Sequence, residues 1–173
     1  MKPEIWYDWD NNKNQSVFEN NFYNLHAPDI KEDTTMDANM KKRNELLAKT
    51  VIKGLESRNM SGYYAQDKEA ALKQALELIP NGSTIAMGGC MSAHEIGLVK
   101  ALQDGEDNYI DRAKLEPREG LMAAYDADFF LSSANAVTDD GVLVNIDGNS
   151  NRVSCIAQGP KKVIFIVGIN KVC

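Results

Sequence analysis

Two short apolar runs, residues 129–131 and 163–167, enclose a stretch crowded with Asn, Asp, Gly and Ser, and no other part of the chain restricts the fold as much as this segment, 128–171. Short apolar runs bounded by Gly, Pro and Asn read as buried strands. Parallel strands covered on both faces lose the alternation of a half-wetted strand. Between the runs, Asp139-Asp140-Gly141 and Asp147-Gly148-Asn149 are turn signals, since Gly accepts positive φ and Asp and Asn side chains bond their own backbone. Residues 142–146 then form a short strand, and 151–158 a short helix closed by Gly159 and Pro160. The order is strand, hairpin-like excursion, helix, strand, with the chemistry expected in the loops at the strand ends.

The preceding chain alternates in the same way. Asp37 can cap a helix running to about residue 57, with Met40, Leu47, Val51 and Leu55 on one face. Residues 63–65 are a strand candidate. Asp67 caps a second helix with a stripe of Leu72, Ala75, Leu76 and Ile79, ended by Pro80-Asn81-Gly82. Residues 83–87 form a strand that runs into Gly88-Gly89-Cys90-Met91. Ser92 and Glu95 then make a capping box for a helix that turns Ile96, Val99 and Leu102 inward. A brief strand over 109–111 and a helix opened by Pro117, with Leu121, Met122 and Tyr125 inward, complete the pattern. Helices separating apolar runs predict a three-layer α/β domain in which 84–87, 129–132 and 163–168 are adjacent and parallel, with ligands at the carboxyl ends of the strands.

At 173 residues the chain forms one α/β domain over 36–173, preceded by an Asn-rich arm over 1–35 whose Trp6, Tyr7, Trp9, Phe18, Phe22 and Tyr23 are too many aromatics for a disordered tail. The arm is expected to pack, and a homodimer is the default expectation for a symmetric oligomer. A formal net charge of -6 argues against a nucleic-acid partner. No apolar run reaches membrane-spanning length and no secretory leader opens the chain, so a cytoplasmic protein without a membrane role is expected. Cys90, Cys155 and Cys173 lie far apart and only His26 and His94 are present, so no metal or iron–sulfur ligand set is signalled within the chain.

Gly88, Gly89, Ser92, Asn135, Asn145, Asp147, Gly148, Asn151 and Arg152 are the candidate ligand-binding residues. They offer close backbone approach, amides, one carboxylate and one guanidinium, which suits a small hydroxylated anion. Arg152 has a second reading, a salt bridge to Asp147 that pins the loop. Glu95 and Asp147 are the carboxylates to consider as acid or base, and each would need burial to reach a useful pKa. The Gly-Gly turn lacks the spacing of a Walker loop or a dinucleotide fingerprint, so neither ATP nor NAD follows.

Three stretches, GGCMSAHEIG at 88–97, IDR at 110–112 and SSANAVTDDGVLVNIDGNSNRV at 132–153, the last continued by GPKKVIFIVGINKV, resemble the LUD (lactate-utilisation) domain family. The resemblance implies a Rossmann-like αβα sandwich similar to ribose-phosphate isomerases, glucosamine-phosphate deaminases and CoA transferases. It also implies a component of cytoplasmic L-lactate or related organic-acid oxidation, working beside iron–sulfur or redox partner subunits. The Gly-rich loop and the NAV-TDDG loop would line one pocket. Asn135 stands where some sugar-phosphate enzymes of this fold use Asp, which points to binding without transformation. The alternatives are a non-catalytic ligand-binding or assembly module and an isomerase- or transferase-like enzyme acting on sugar phosphates or CoA esters. Relatives continue past the position of Cys173, so a C-terminal extension is expected to be lacking.

Overall fold

A computed structural model of the chain describes residues 38–173. The aromatic arm, its packing and the Asp37 cap lie outside the described residues. In chain order the strands are β1 (Thr84–Met87), β2 (Asn108–Tyr109), β3 (Phe129–Ser132), β4 (Ala136–Val137), β5 (Leu143–Val144) and β6 (Lys162–Phe165). The helices are α1 (Ala38–Glu56), α2 (Lys68–Leu78), α3 (Met91–Glu95), α4 (Leu98–Asp104), α5 (Pro117–Tyr125) and α6 (Asn151–Ala157). Four strands pair throughout in parallel in the order β2-β1-β3-β6, with Ile85 beside Phe129, Met87 beside Leu131 and Ser132 beside Phe165. Antiparallel β4 and β5 form a separate hairpin.

Side-chain alternation on the central strands builds the layers. Ile85, Phe129 and Leu131 pack with Ala75 and Ile79 of α2 and Leu98 and Leu102 of α4 on one face. Ala86 and Phe130 pack with Ala124 of α5 and Cys155 of α6 on the other. The expected three-layer parallel architecture is therefore present. β3 is buried at every position, whereas edge strand β6 is only partly covered. Full burial of a side chain such as Phe130 contributes about 1.5–3 kcal/mol, so this strand anchors both cores.

Local details depart from the sequence reading for identifiable reasons. Residues 63–65 are irregular, with Tyr63 and Tyr64 exposed. Both sheet edges are taken by β2 and β6, and a strand without a neighbour leaves its amides unpaired. The capping box does not form. Cys90 takes the cap position of α3 without a side-chain bond, Ser92 lies inside the helix, and Glu95 reaches Lys68 at 3.7 Å on the surface. The expected single helix is broken at Gly97, which adopts a left-handed φ of 79°, so that α4 starts afresh and buries Leu98 alongside Val99 and Leu102. On α5 the stripe is completed by Gly120 and Ala124, and Met122, a full 100° round the helix from Leu121, stays exposed. Leu76 of α2 is also exposed. By contrast Asp67 caps α2 as expected, accepting the Ala70 amide at 2.8 Å, and Pro117 opens α5.

α1 turns Val51 and Leu55 toward Ala134, Val137 and Leu143, while its first turns, including Met40, are exposed. The contact is backbone on backbone. A Cβ at Gly54 would lie 2.1 Å from the Asp140 carbonyl oxygen, and one at Gly141 would lie 2.5 Å from the Gly54 carbonyl carbon. Arg58 closes the same contact, donating to the Asp140 carbonyl at 2.5 Å and to its carboxylate at 3.1 Å. Among the described residues no helix is long and apolar enough to cross a membrane.

In an open helix interior Gly→Ala stabilises by about 1 kcal/mol. At Gly54 the sign is expected to reverse, because the hairpin backbone leaves no room. Gly54→Ala should cost about 1–3 kcal/mol of overpacking, measured as a lower urea midpoint at unchanged slope. A raised midpoint would show that the hairpin is free to withdraw.

Candidate functional site

The loops leaving β1, β3 and β6 gather at the carboxyl edge of the sheet, where an α/β fold places its ligands. The polar excursion after β3 is organised by one side chain. The Arg152 guanidinium has five N–H donors, and each finds an acceptor: Nε donates to Asp147 Oδ1 at 3.0 Å, Nη1 to the Ser133 carbonyl and to Asn145 Oδ1 at 2.8 Å, and Nη2 to Asn135 Oδ1 at 2.7 Å and the Ile146 carbonyl at 3.2 Å. Its side chain is 11% exposed and that of Asp147 is 9% exposed, so the ion pair is largely withdrawn from water.

Asp147 also replaces the missing helix cap. Ser150, in the left-handed region with φ of 57°, makes no cap bond, and Asp147 Oδ2 instead accepts the amides of Arg152 at 2.8 Å and Val153 at 2.6 Å. A carboxylate taking the first amides of a helix supplies the donors' partners and complements their partial charge. The pinned-loop reading of Arg152 is thus the geometry observed.

Because a guanidinium only donates, both asparagines must turn their carbonyl oxygens toward it. Their amide nitrogens consequently point elsewhere, and among the described residues neither Asn135 Nδ2 nor Asn145 Nδ2 has a partner. Gly88 belongs to the same assembly, since a Cβ there would lie 2.9 Å from both Arg152 Cγ and Phe130 Cζ. The Gly88-Gly89 loop and the 135–152 segment therefore meet across neighbouring parallel strands. Gly89 and Gly148 are exposed with open space where a Cβ would sit, and Asn151 is half-buried at the start of α6. Ser92 lies half-buried on α3, a single turn too short to carry an appreciable macrodipole, and exposed Glu95 lies outside the Arg152 cluster.

Two further cations stand at this edge. Lys171, in the turn Ile169–Lys171 after β6, donates to the Ala134 carbonyl at 2.8 Å and Ser133 Oγ at 3.1 Å. Arg112, in the turn Arg112–Lys114 after β2, donates from Nη1 to the Met87 carbonyl at 3.3 Å. Neither carries motif spacing of its own, and Arg112 is marked in the sequence only by the IDR stretch. Burial pushes the Cys90 thiol up to about 11, against the opposing pulls of the Ala93 amide, Lys171 and Arg152. Burial also raises the Cys155 thiol. Neither is an activated nucleophile. Among the described residues no cluster of three His, Cys, Asp or Glu side chains is placed to hold a metal ion. Two open grooves lie elsewhere, along α2 beside Leu72 and Leu76 and at the amino edge beside Ser83 and Lys161, and neither holds a buried charge.

Parallel strands covered by helices on both faces, with polar loops gathered at the strand ends, define a Rossmann-like α/β protein. Within that class the chain belongs to the LUD domain family, which matches residues 48–173. Comparisons with curated proteins and with solved structures found no match.

Removing one member of a buried pair leaves the other charge uncompensated, at a cost of about 3–5 kcal/mol. Arg152→Ala is therefore expected to lose stability of that order without any ligand, as read in a urea titration. A loss below about 1 kcal/mol, the range of exposed pairs, would mean that the five bonds do not organise the loop. Iodoacetamide at pH about 8, near an ordinary thiol's pKa, should alkylate exposed Cys173 and spare Cys90 in the native protein, as mapped by peptide mass spectrometry. Equal labelling of the two would show Cys90 to be accessible and ionised.

Proposed function

We propose that the protein binds a small anionic metabolite of the hydroxy-acid type at the carboxyl edge of the sheet, as one component of L-lactate or related organic-acid oxidation. Family membership supports the metabolic setting. The observation that carries the binding reading is the pair of spare amide donors, Asn135 Nδ2 and Asn145 Nδ2, held in fixed orientation by Arg152 beside the Gly88-Gly89 loop. Such donors, immobilised before the ligand arrives, lose little entropy on binding, and they match the hydroxyl and carboxylate oxygens of a small acid. Gly89 and Gly148 leave backbone open to close approach.

Oxidation of a hydroxy acid to a keto acid removes two electrons and two protons. In this reading the electrons pass to a redox partner subunit, and this chain binds and orients the acid. A second reading, a binding or assembly module with no chemistry of its own, is favoured by the disposition of the carboxylates: Asp147 is fully engaged with Arg152 and the α6 amides, and Glu95 lies on the surface.

A thermal-shift panel of hydroxy acids, sugar phosphates and acyl-CoAs tests the class. A selective ligand at a hundred times its Kd stabilises by about 2.7 kcal/mol, so one or more small hydroxy acids should raise the melting temperature and the other two groups should not. A response confined to sugar phosphates or acyl-CoAs would replace this reading with an isomerase- or transferase-like one. Turnover of the hit, with and without an added electron acceptor, separates enzyme component from binding module.

A further inference from the structure

The five arginines of the chain differ in what meets their charge. Arg58 pairs with Asp140 and Arg152 with Asp147, while Arg43 and Arg118 are exposed to solvent. Arg112 is half-buried, and among the described residues its side chain has no carboxylate at ion-pair distance and one hydrogen bond, the long one to Met87. Its guanidinium reaches the carbonyl just before Gly88, and Gly88 is the residue against which the stem of Arg152 packs. Two guanidinium side chains thus approach one peptide of the β1 loop, with Lys171 on the β3 and β6 side of the same edge.

Arg112, Arg152 and Lys171 stand at this edge, where Asp147 is paired with Arg152 at 3.0 Å and Asp111 with Lys114 at 3.2 Å. The Cys155 thiol lies within electrostatic reach of both Arg112 and Asp147. A cationic excess concentrated at one sheet edge of a chain with a net charge of -6 is a local feature, not a reflection of composition. Half-burying a cation without a partner is unfavourable, and structures retain such groups where a ligand completes them.

Resting on the proposed binding of a small acid at this edge, we infer that Arg112 is the residue that holds the ligand's oxyanion, with Arg152 positioning the Asn135 and Asn145 donors without touching the charge. With Nη1 engaged at Met87, Nε and Nη2 of Arg112 are left to make the paired, parallel bonds that a guanidinium gives to a carboxylate or phosphate group. Lys at this position would keep the charge and lose the fork.

The test compares the melting temperatures of the parent, Arg112→Met and Arg112→Lys in chloride buffer, with and without inorganic phosphate or acetate at constant ionic strength. In chloride alone Arg112→Met should melt no lower than the parent, because it removes an uncompensated cation. Phosphate or acetate should raise the parent's melting temperature saturably, and the stronger of the two names the oxyanion. Arg112→Met should lose at least about tenfold in apparent affinity, with Arg112→Lys between. The inference is overturned if Arg112→Met melts several degrees lower in chloride, which would make the Met87 bond structural. It is equally overturned if the variant keeps the anion response, or if neither anion stabilises the parent. A hydroxy acid that binds Arg112→Met as well as the parent would remove Arg112 and leave the proposed function standing. An Arg112-dependent phosphate or acetate response with no hydroxy-acid hit would do the reverse.

Discussion

One guanidinium holds the polar half of this domain together. Arg152 joins the exit of β3 through Ser133 and Asn135, the end of the hairpin through Asn145 and Ile146, and the start of α6 through Asp147. Without a donor able to serve five acceptors at once, the less exposed of these oxygens would lose a partner, and a buried neutral group left unpaired costs about 1–3 kcal/mol. A buried ion pair is weak evidence of net stability, yet it defines one loop conformation over others. The two spare asparagine donors exist because both carbonyl oxygens are turned to Arg152. Structure and candidate site are consequences of the same set of bonds.

The parallel sheet was legible because its strands are short apolar runs separated by helices, and such a pattern has few solutions. Phe129, Phe130 and Leu131 announce a buried strand by composition alone. The failures occurred where tertiary context overrides local pattern. Ser92 and Glu95 have the spacing of a capping box, but Gly97 cuts the helix to a single turn and the chain enters it at Cys90. Tyr63 and Tyr64 favour strand by propensity and find no edge to join.

For the site, sequence showed which residues are polar and turn-forming but not how their donors and acceptors divide. Arg152 beside Asp147 admits both a ligand anchor and a structural pin, and sequence carries none of the distances to Ser133, Asn135 and Asn145 that describe the pin. Arg112 and Lys171 are single basic residues, far apart in sequence, that the topology carries to one edge because both follow parallel strands. Spacing cannot reveal such a meeting. The close approach of Gly54 to Gly141 is equally invisible, since each glycine alone reads as a weak helix position or a turn.

The connectivity of the Arg152 cluster is short in sequence. Its most distant acceptor lies 19 positions away, whereas the bond from the Thr84 amide to Asp128, which braces β1 against β3, spans 44. Closing a short loop costs less chain entropy than closing a long one, so the polar excursion is wired to itself and only docked on the sheet. Its exposed tip, Gly148, Asn149 and Ser150, lies outside that wiring except through backbone. Descendants of such a chain can therefore lengthen or recolour the tip while inheriting the strands unchanged, which makes the excursion the part of the domain most open to evolutionary change.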